Sequence, residues 1–393
     1  MMKNLLPYPS EWKGLLNLFD GCGCFSKPQF GNFCQAATGM AVSQYSAISR
    51  WSRLFCKKDQ STLNDFFNES PWDDASVYDR LSRLIARRVK DAYLGIIDDT
   101  LSHKPYAKKM ENVGWFYDGK AKEQQKGHNV VTSGVKSLEL NFVPSCSELY
   151  KKGSGRSKND IACTMVRRIC HYNKNVIIFA VDSWYSNSIV LGGIKRCRKH
   201  YVTEIKSNRN VTIGNKKRFA REHEKHIPKK RFTEAIIKGA KYRYFQTSAF
   251  IKSLGSVNLV FSQKYDENEK KWGETYYLIT DILTMQGDKV IELYLERGLI
   301  EGFHREGKQQ LGMEEYQLCN SRGIERYLFL VLLVFVLLLL LSQQAMRKTS
   351  KSQTIGELRE QLKAECYTIL LQKSKHMTEE QQKDLVQRFA KGL

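Results

Sequence analysis

Apolar residues recur at intervals of three and four through the first 88 positions. GMAVSQYSAISRWSRLF (39–55), STLNDFFNES (61–70) and DASVYDRLSRLIARRVKDAY (74–93) all carry this spacing, which sets the apolar side chains on one face of a helix. Asn68, Ser70 and Pro71 punctuate the last two, and Asp73 or Asp74 stands where an N-cap is needed. The pair reads as two short helices joined by a turn, the layout of a helix-turn-helix, although most paired helices are packing units.

The texture changes at Ala92. AYLGIIDDT is a short apolar run ending in two acids and a threonine, a buried strand meeting solvent. HNVVTSGVKSLELNFVPS (128–145) alternates and turns, KKGSGRSKN is a loop, DIACTMVRRICHYN (160–173) has helical spacing, and NVIIFAVDS is a second apolar run that stops at Asp182. Strand, further strands, helix, strand, helix, with an aspartate at the exit of the first and the last strand, is the order of an RNase H-like fold. KYRYFQTSAF, SVNLVFSQKY and TYYLITDIL (241–283) alternate and are rich in aromatics, which predicts a small inserted sheet. VIELYLERGLIEGFHREGKQQLG (290–312) returns to helix, and the segment from 346 to 393 reads as two amphipathic helices. The expected architecture is α/β: an all-α domain over 1–88, a catalytic domain over 89–345 with a basic, mainly β insertion at about 200–288, and a helical tail over 346–393.

Charge sharpens this picture. Among 393 residues, 63 Lys+Arg against 41 Asp+Glu give +22, and a surplus of that size points to a polyanion, nucleic acid above all. Residues 195–243 hold 17 Lys+Arg and 4 Glu, so that segment alone supplies +13. KKRFAREHEKHIPKKR within it is too polar for a core and reads as an exposed insertion or a solvated face.

Ten cysteines at irregular spacing do not form a disulfide framework. They indicate a reducing compartment, the cytoplasm, where a DNA-associated protein joins the nucleoid. Cys22, Cys24 and Cys34 lack the paired spacing of a zinc site, so buried or loop thiols are the simpler reading. Tyr327–Leu341 is apolar throughout. As a helix that run covers only about 22 Å, short of a ~30 Å hydrocarbon core, so it is expected inside a globular domain and no membrane partner is expected.

The 294–308 stretch carries the candidate chemistry. On a continuous wheel with Tyr294 at zero, Arg297, Glu301 and Lys308 fall near 300°, 340° and 320°, at about 100° per residue. A tyrosine, two cations and a carboxylate on one narrow stripe suit a phosphate backbone, the carboxylate holding a metal and the cations holding phosphates. The spacing Tyr-(2)-Arg-(3)-Glu-(6)-Lys, together with IIDDT (96–100), AVDSWYSN (180–187), KQQLGMEEYQ (308–317) and LNDFFNESPWD (63–73), resembles the DDE transposases of cut-and-paste bacterial and archaeal insertion sequences.

The resemblance implies a metal-dependent endonuclease and strand transferase that cuts at the terminal inverted repeats of a transposon and joins the ends to target DNA. Its catalytic and metal-binding carboxylates fall on Asp98, Asp182 and Glu301, with Asp99 competing for the place of Asp98. The 118 positions between Asp182 and Glu301 accommodate the β insertion of this branch. Two Mg²⁺ ions are expected, with Mn²⁺ as a substitute, and three carboxylates from separate elements can supply their oxygen ligands. Tyr294, Arg297 and Lys308 are expected on DNA, and Trp184 on a flipped base unless it is simply packed. His304 and Arg305 lie one turn from Glu301 and could support it. A homodimer on DNA is implied, because two ends must be held together. The alternatives are a catalytically decayed DNA-binding derivative, a membrane-anchored basic protein and another nuclease of the same fold.

Overall fold

The computed structural model describes residues 8–21, 23–43, 47–54, 59–119, 121–349 and 353–390. Helices come first: α1 (Ser10–Leu16), α2 (Lys27–Val42), α3 (Ile48–Leu54), α4 (Gln60–Asn68) and α5 (Asp74–Arg88). Their starts are locally encoded. Ser26 and Gln29 form a capping box on α2, Asp59 accepts from the Thr62 amide on α4 at 2.9 Å, and of the two acids before α5 it is Asp73 that accepts, from Ala75 at 3.0 Å.

A mixed sheet of 12 strands follows. Its first part is β1 (Leu94–His103), β2 (Gly114–Asp118), β3 (Glu123–Ser137) and β4 (Asn141–Leu149), then α6 (Lys158–Tyr172), β5 (Ile178–Val181), α7 (Ser188–Arg196) and β6 (His200–Glu204). β1 pairs antiparallel with β3 and parallel with β5, and β5 pairs parallel with β6. Between β1 and β5, Gly95 is needed because a Cβ there would lie 2.5 Å from the Phe179 ring.

Residues 210–280 form β7 (Asn210–Ile213), β8 (Lys216–Phe219), α8 (Ala220–Glu224), β9 (Thr233–Ile237), β10 (Ala240–Ile251), β11 (Gly255–Asp266) and β12 (Lys271–Thr280). The sequence suggested a separate small sheet here. Instead β12 pairs antiparallel with β6, Leu278 opposite Glu204, so these strands continue the central sheet. The basic run 216–231 is mostly exposed, as expected, but contains β8 and α8.

The chain closes with α9 (Gly287–Leu295), α10 (Gly298–Leu311), α11 (Ser321–Thr349), α12 (Ile355–Ser374) and α13 (Glu379–Ala390). The single helix expected over 294–308 is two helices. At the junction i→i+3 bonds replace the α-helical ladder, Arg297 N–H to Tyr294 O at 3.0 Å and Leu299 N–H to Glu296 O at 3.1 Å. A wheel drawn through both halves therefore has the wrong pitch at its centre. Gly312, at φ +64°, ends α10 in the left-handed conformation.

α11 is the axis of the core. Its 29 residues would run roughly 43 Å, so length alone permits spanning a membrane, contrary to the shorter apolar run considered from sequence. Its most apolar window is 83% buried inside the protein, with α1, α2, α4, α10, α12 and β4 around it. α12 contributes the stripe Ile355, Leu358, Leu362, Cys366 and Leu370. Arg326 on α11 is 2% exposed. It donates to the backbone oxygens of Phe67, Ser70 and Trp72 and to Asp74, holding the α4–α5 turn against the core.

Candidate active site

Strand register aligns three acids. Ile97 pairs with Val181, and Val181 with Thr203, so Asp98, Asp182 and Glu204 follow at one level on three adjacent parallel strands. Asp98 lies inside β1, where the pairing with β5 ends, while Asp182 follows β5 and Glu204 closes β6, so the three side chains can converge on a ligand. Sequence reading singled out Asp98 and Asp182 but not Glu204. Its signal was faint: HYVTE is short, mixed in polarity and ends in an acid.

Asp98 is the most constrained of the three. Arg297 Nη1 donates to its Oδ2 at 2.7 Å, and the Asp99 amide donates to its Oδ1 at 2.8 Å. Burial pushes its pKa up to about 7, with Arg297 opposing and the charges of Asp99 and Asp182 adding to the rise. Asp99 turns the other way, as strand alternation requires. It accepts from Tyr185 Oη at 2.8 Å, Asn129 Nδ2 at 2.6 Å and Lys158 Nζ at 3.0 Å. The structure thus joins Asp98 to Arg297 and gives Asp99 a separate polar hub.

Arg297, at the α9–α10 junction, is the centre of the site. Its Nη2 donates to Glu301 Oε1 at 2.9 Å, so one guanidinium spans Asp98 and Glu301. Burial works against its charge, but Asp98, Tyr294, Asp182 and Glu301 more than offset that and raise its pKa. Glu301 itself is half exposed. Tyr294 is partly buried and donates to Glu204 Oε2 at 2.9 Å. Burial and the nearby Asp182 charge raise the Glu204 pKa, against the Tyr294 hydrogen bond.

Lys308 lies two turns beyond Glu301 on α10, where it donates to Leu101 O at 2.7 Å and pairs with Glu314 at 2.8 Å. Trp184 is 56% exposed, with Lys158 Nζ 4.6 Å from its ring centroid. It lines a cleft of about 1000 Å³ that also presents Lys206, Arg209, Lys217, Lys252 and Phe250. His304 is buried and Arg305 exposed, on different sides of α10.

Among the described residues no three His, Cys, Asp or Glu side chains stand together as a ready metal cage. The donor set nevertheless suits a hard dication. Asp98, Asp182, Glu204 and Glu301 offer carboxylate oxygens, and the Arg297 guanidinium already places positive charge between two of them. Cys22 lies outside the described residues. Cys24 and Cys34 are buried, and burial, aided by Asp20, pushes the Cys34 thiol up to about 12.

The family model described as DDE superfamily endonuclease matches residues 46–238, which include Asp98, Asp182 and Glu204 and stop short of Arg297 and Glu301. No curated protein sequence matches the chain. Among solved structures, a piggyBac transposase in a synaptic complex with hairpin DNA matches with a TM-score of 0.51 at 9% identity, covering 100% of this chain and 88% of that one. Residues 46–238 are therefore similar to the DDE superfamily endonucleases, and the whole chain shares the fold of a transposase.

Proposed function

We propose that the protein is a DNA transposase that cleaves at transposon ends and transfers the freed ends to target DNA, a cut-and-paste enzyme of the insertion-sequence kind. The observation that carries this reading is the alignment of Asp98 and Asp182 on adjacent parallel strands, with Arg297 tying Asp98 to Glu301. The order β4-β3-β1-β5-β6 supports an RNase H-like core. The concentration of Lys and Arg in 195–243 supports a DNA path across the inserted strands, with the all-α segment before residue 89 as a second DNA-binding domain.

Asp98, Asp182 and Glu301 would hold two Mg²⁺ ions, or Mn²⁺, which when bound supply activation of water or a DNA 3′-hydroxyl and stabilisation of the leaving oxygen. The chain's own groups prepare that chemistry. Arg297 positions two of the carboxylates, Tyr294 orients Glu204, and Lys308 offers charge to a phosphate at the mouth of the site. Trp184 stands exposed beside Asp182, available to an unstacked base. A homodimer would bring two inverted repeats together, in the cytoplasm on the nucleoid.

The test is cleavage in Mg²⁺ of a plasmid carrying the DNA that flanks this reading frame, for wild type and Asp182→Asn. Breaks at two fixed flanking positions, lost in the variant, are expected. Binding to the flanks with no break by the wild type would instead identify a decayed, binding-only derivative.

A further inference from the structure

Three of the six exposed aromatic side chains among the described residues lie within twelve positions: Tyr106 at 92%, Trp115 at 62% and Tyr117 at 63% exposure. Trp115 and Tyr117 stand two apart on β2, hence on one face. The other face turns inward, where Phe116 meets the Tyr150 ring at 6.1 Å. None of the three exposed rings takes part in a ring contact among the described residues. Clustered exposed rings of this kind mark a binding surface more often than an accident of packing.

Their mount is rigid. Lys104, 8% exposed, donates to Tyr316 O at 2.8 Å and lies 3.7 Å from the Tyr316 ring centroid. Lys126 Nζ donates to Ala107 O at 2.6 Å, and the Glu111 amide donates to Cys319 O at 2.8 Å. Lys108 and Lys109 follow Tyr106 in the β1–β2 loop and Lys122 joins β2 to β3, and all three are exposed. This region also adjoins the active site: Lys308 pairs with Glu314, Glu314 with His103, and His103 with Asp118 at the end of β2.

We propose that the β1–β2 loop and the β2–β3 hairpin together form a platform for single-stranded DNA, the three rings stacking on unpaired bases while Lys108, Lys109 and Lys122 take the phosphates. The spacing favours unpaired bases over duplex. Side chains two apart on a strand stand about 7 Å apart, twice the ~3.4 Å step between stacked bases, so one base fits between two rings, and only an unpaired strand exposes base faces to them. The inference rests on the protein acting on DNA, since strand cleavage and transfer create frayed and flanking single strands beside Lys308.

The test compares fluorescence anisotropy of a labelled single-stranded oligonucleotide and of the duplex of the same sequence. Wild type is set against the triple variant Tyr106→Ala, Trp115→Ala, Tyr117→Ala and against Lys108→Gln, Lys109→Gln. Because the rings are exposed, thermal unfolding of the triple variant should match wild type. The expected result is a loss of single-strand affinity of roughly 10-fold or more with duplex affinity held within about twofold, and a shallower salt dependence for the lysine variant. Unchanged single-strand affinity in the folded triple variant, or equal loss on both DNAs, overturns the proposal. Sedimentation supplies a further check: a dimer that the triple variant converts to monomer at unchanged single-strand affinity makes the platform a subunit contact and overturns the proposal too. A wild type that binds neither DNA refutes the transposase reading itself.

Discussion

The Arg297 guanidinium donates to Asp98 at 2.7 Å across 199 positions of chain. Even with that partner, burial holds the Asp98 carboxyl at about 7 in the folded protein, against 3.8 ordinarily. A carboxyl raised on folding favours the native state when protonated. The Asp98 contribution to stability in EDTA is therefore expected to be full below about pH 4 and to fall away as pH rises to about 7, by a few kcal/mol at most. Asp98→Asn should remove that slope and be the more stable protein at pH 8. Urea denaturation across pH 4–8 checks this, and parallel curves for the two proteins would refute it.

Asp98 and Asp99 should separate cleanly by substitution. Asp98→Asn, like Asp182→Asn and Glu301→Gln, is expected to lower cleavage by roughly 10³-fold or more with DNA affinity retained. Asp99→Asn instead weakens the hub of Tyr185, Asn129 and Lys158. Its main effect should be a loss of stability of about 1–3 kcal/mol. The reverse pattern in paired cleavage and denaturation assays would exchange the two roles.

Glu204 and Tyr294 form the least anticipated pair of the site. Tyr294→Phe removes one hydrogen bond, about 1 kcal/mol, and should reduce cleavage less than tenfold. Glu204→Gln removes a carboxylate level with Asp182 and should cost roughly 10–100-fold in cleavage with DNA binding intact. Wild-type cleavage by Glu204→Gln would leave Glu204 as no more than an anchor for Tyr294.

Arg326 should be the most sensitive position remote from the carboxylates. Arg326→Ala removes the guanidinium donor from the carbonyls of Phe67, Ser70 and Trp72, of which Ser70 O still accepts from the Trp72 amide, and is expected to cost roughly 3–5 kcal/mol. Arg326→Lys should recover little, because an ammonium cannot reproduce the guanidinium fork. Denaturation midpoints within experimental error of wild type would show that the α4–α5 turn is held by its own packing.

Much of this arrangement was legible in the sequence. Apolar runs closing on acids located β1 and β5, and with them the Asp98–Asp99 pair and Asp182, because a buried run that ends in acids leaves a local mark; the choice of Asp98 over Asp99 came from the resemblance alone. The junction at Arg297 escaped the wheel because Leu295, Glu296 and Arg297 are all good helix formers, and Gly298 was the single hint of a break. The pairing of β12 with β6 escaped it because register between segments some 75 positions apart is set by tertiary packing that no local pattern records. Glu204 was missed for the same reason: its alignment with Asp182 exists only once β6 is laid beside β5.

The burial of α11 also bears on how the chain can be made. With a mean hydropathy of 2.6, its window is the segment that a ribosome-bound chain can least leave in water. Five of its neighbours, α1, α2, α4, β4 and α10, precede it in the chain, and of the six only α12 is synthesised after it. Its cover is thus translated ahead of it. A chain deprived of the N-terminal helices would present the same helix bare, and would be expected to aggregate or enter detergent and lipid instead of folding around it.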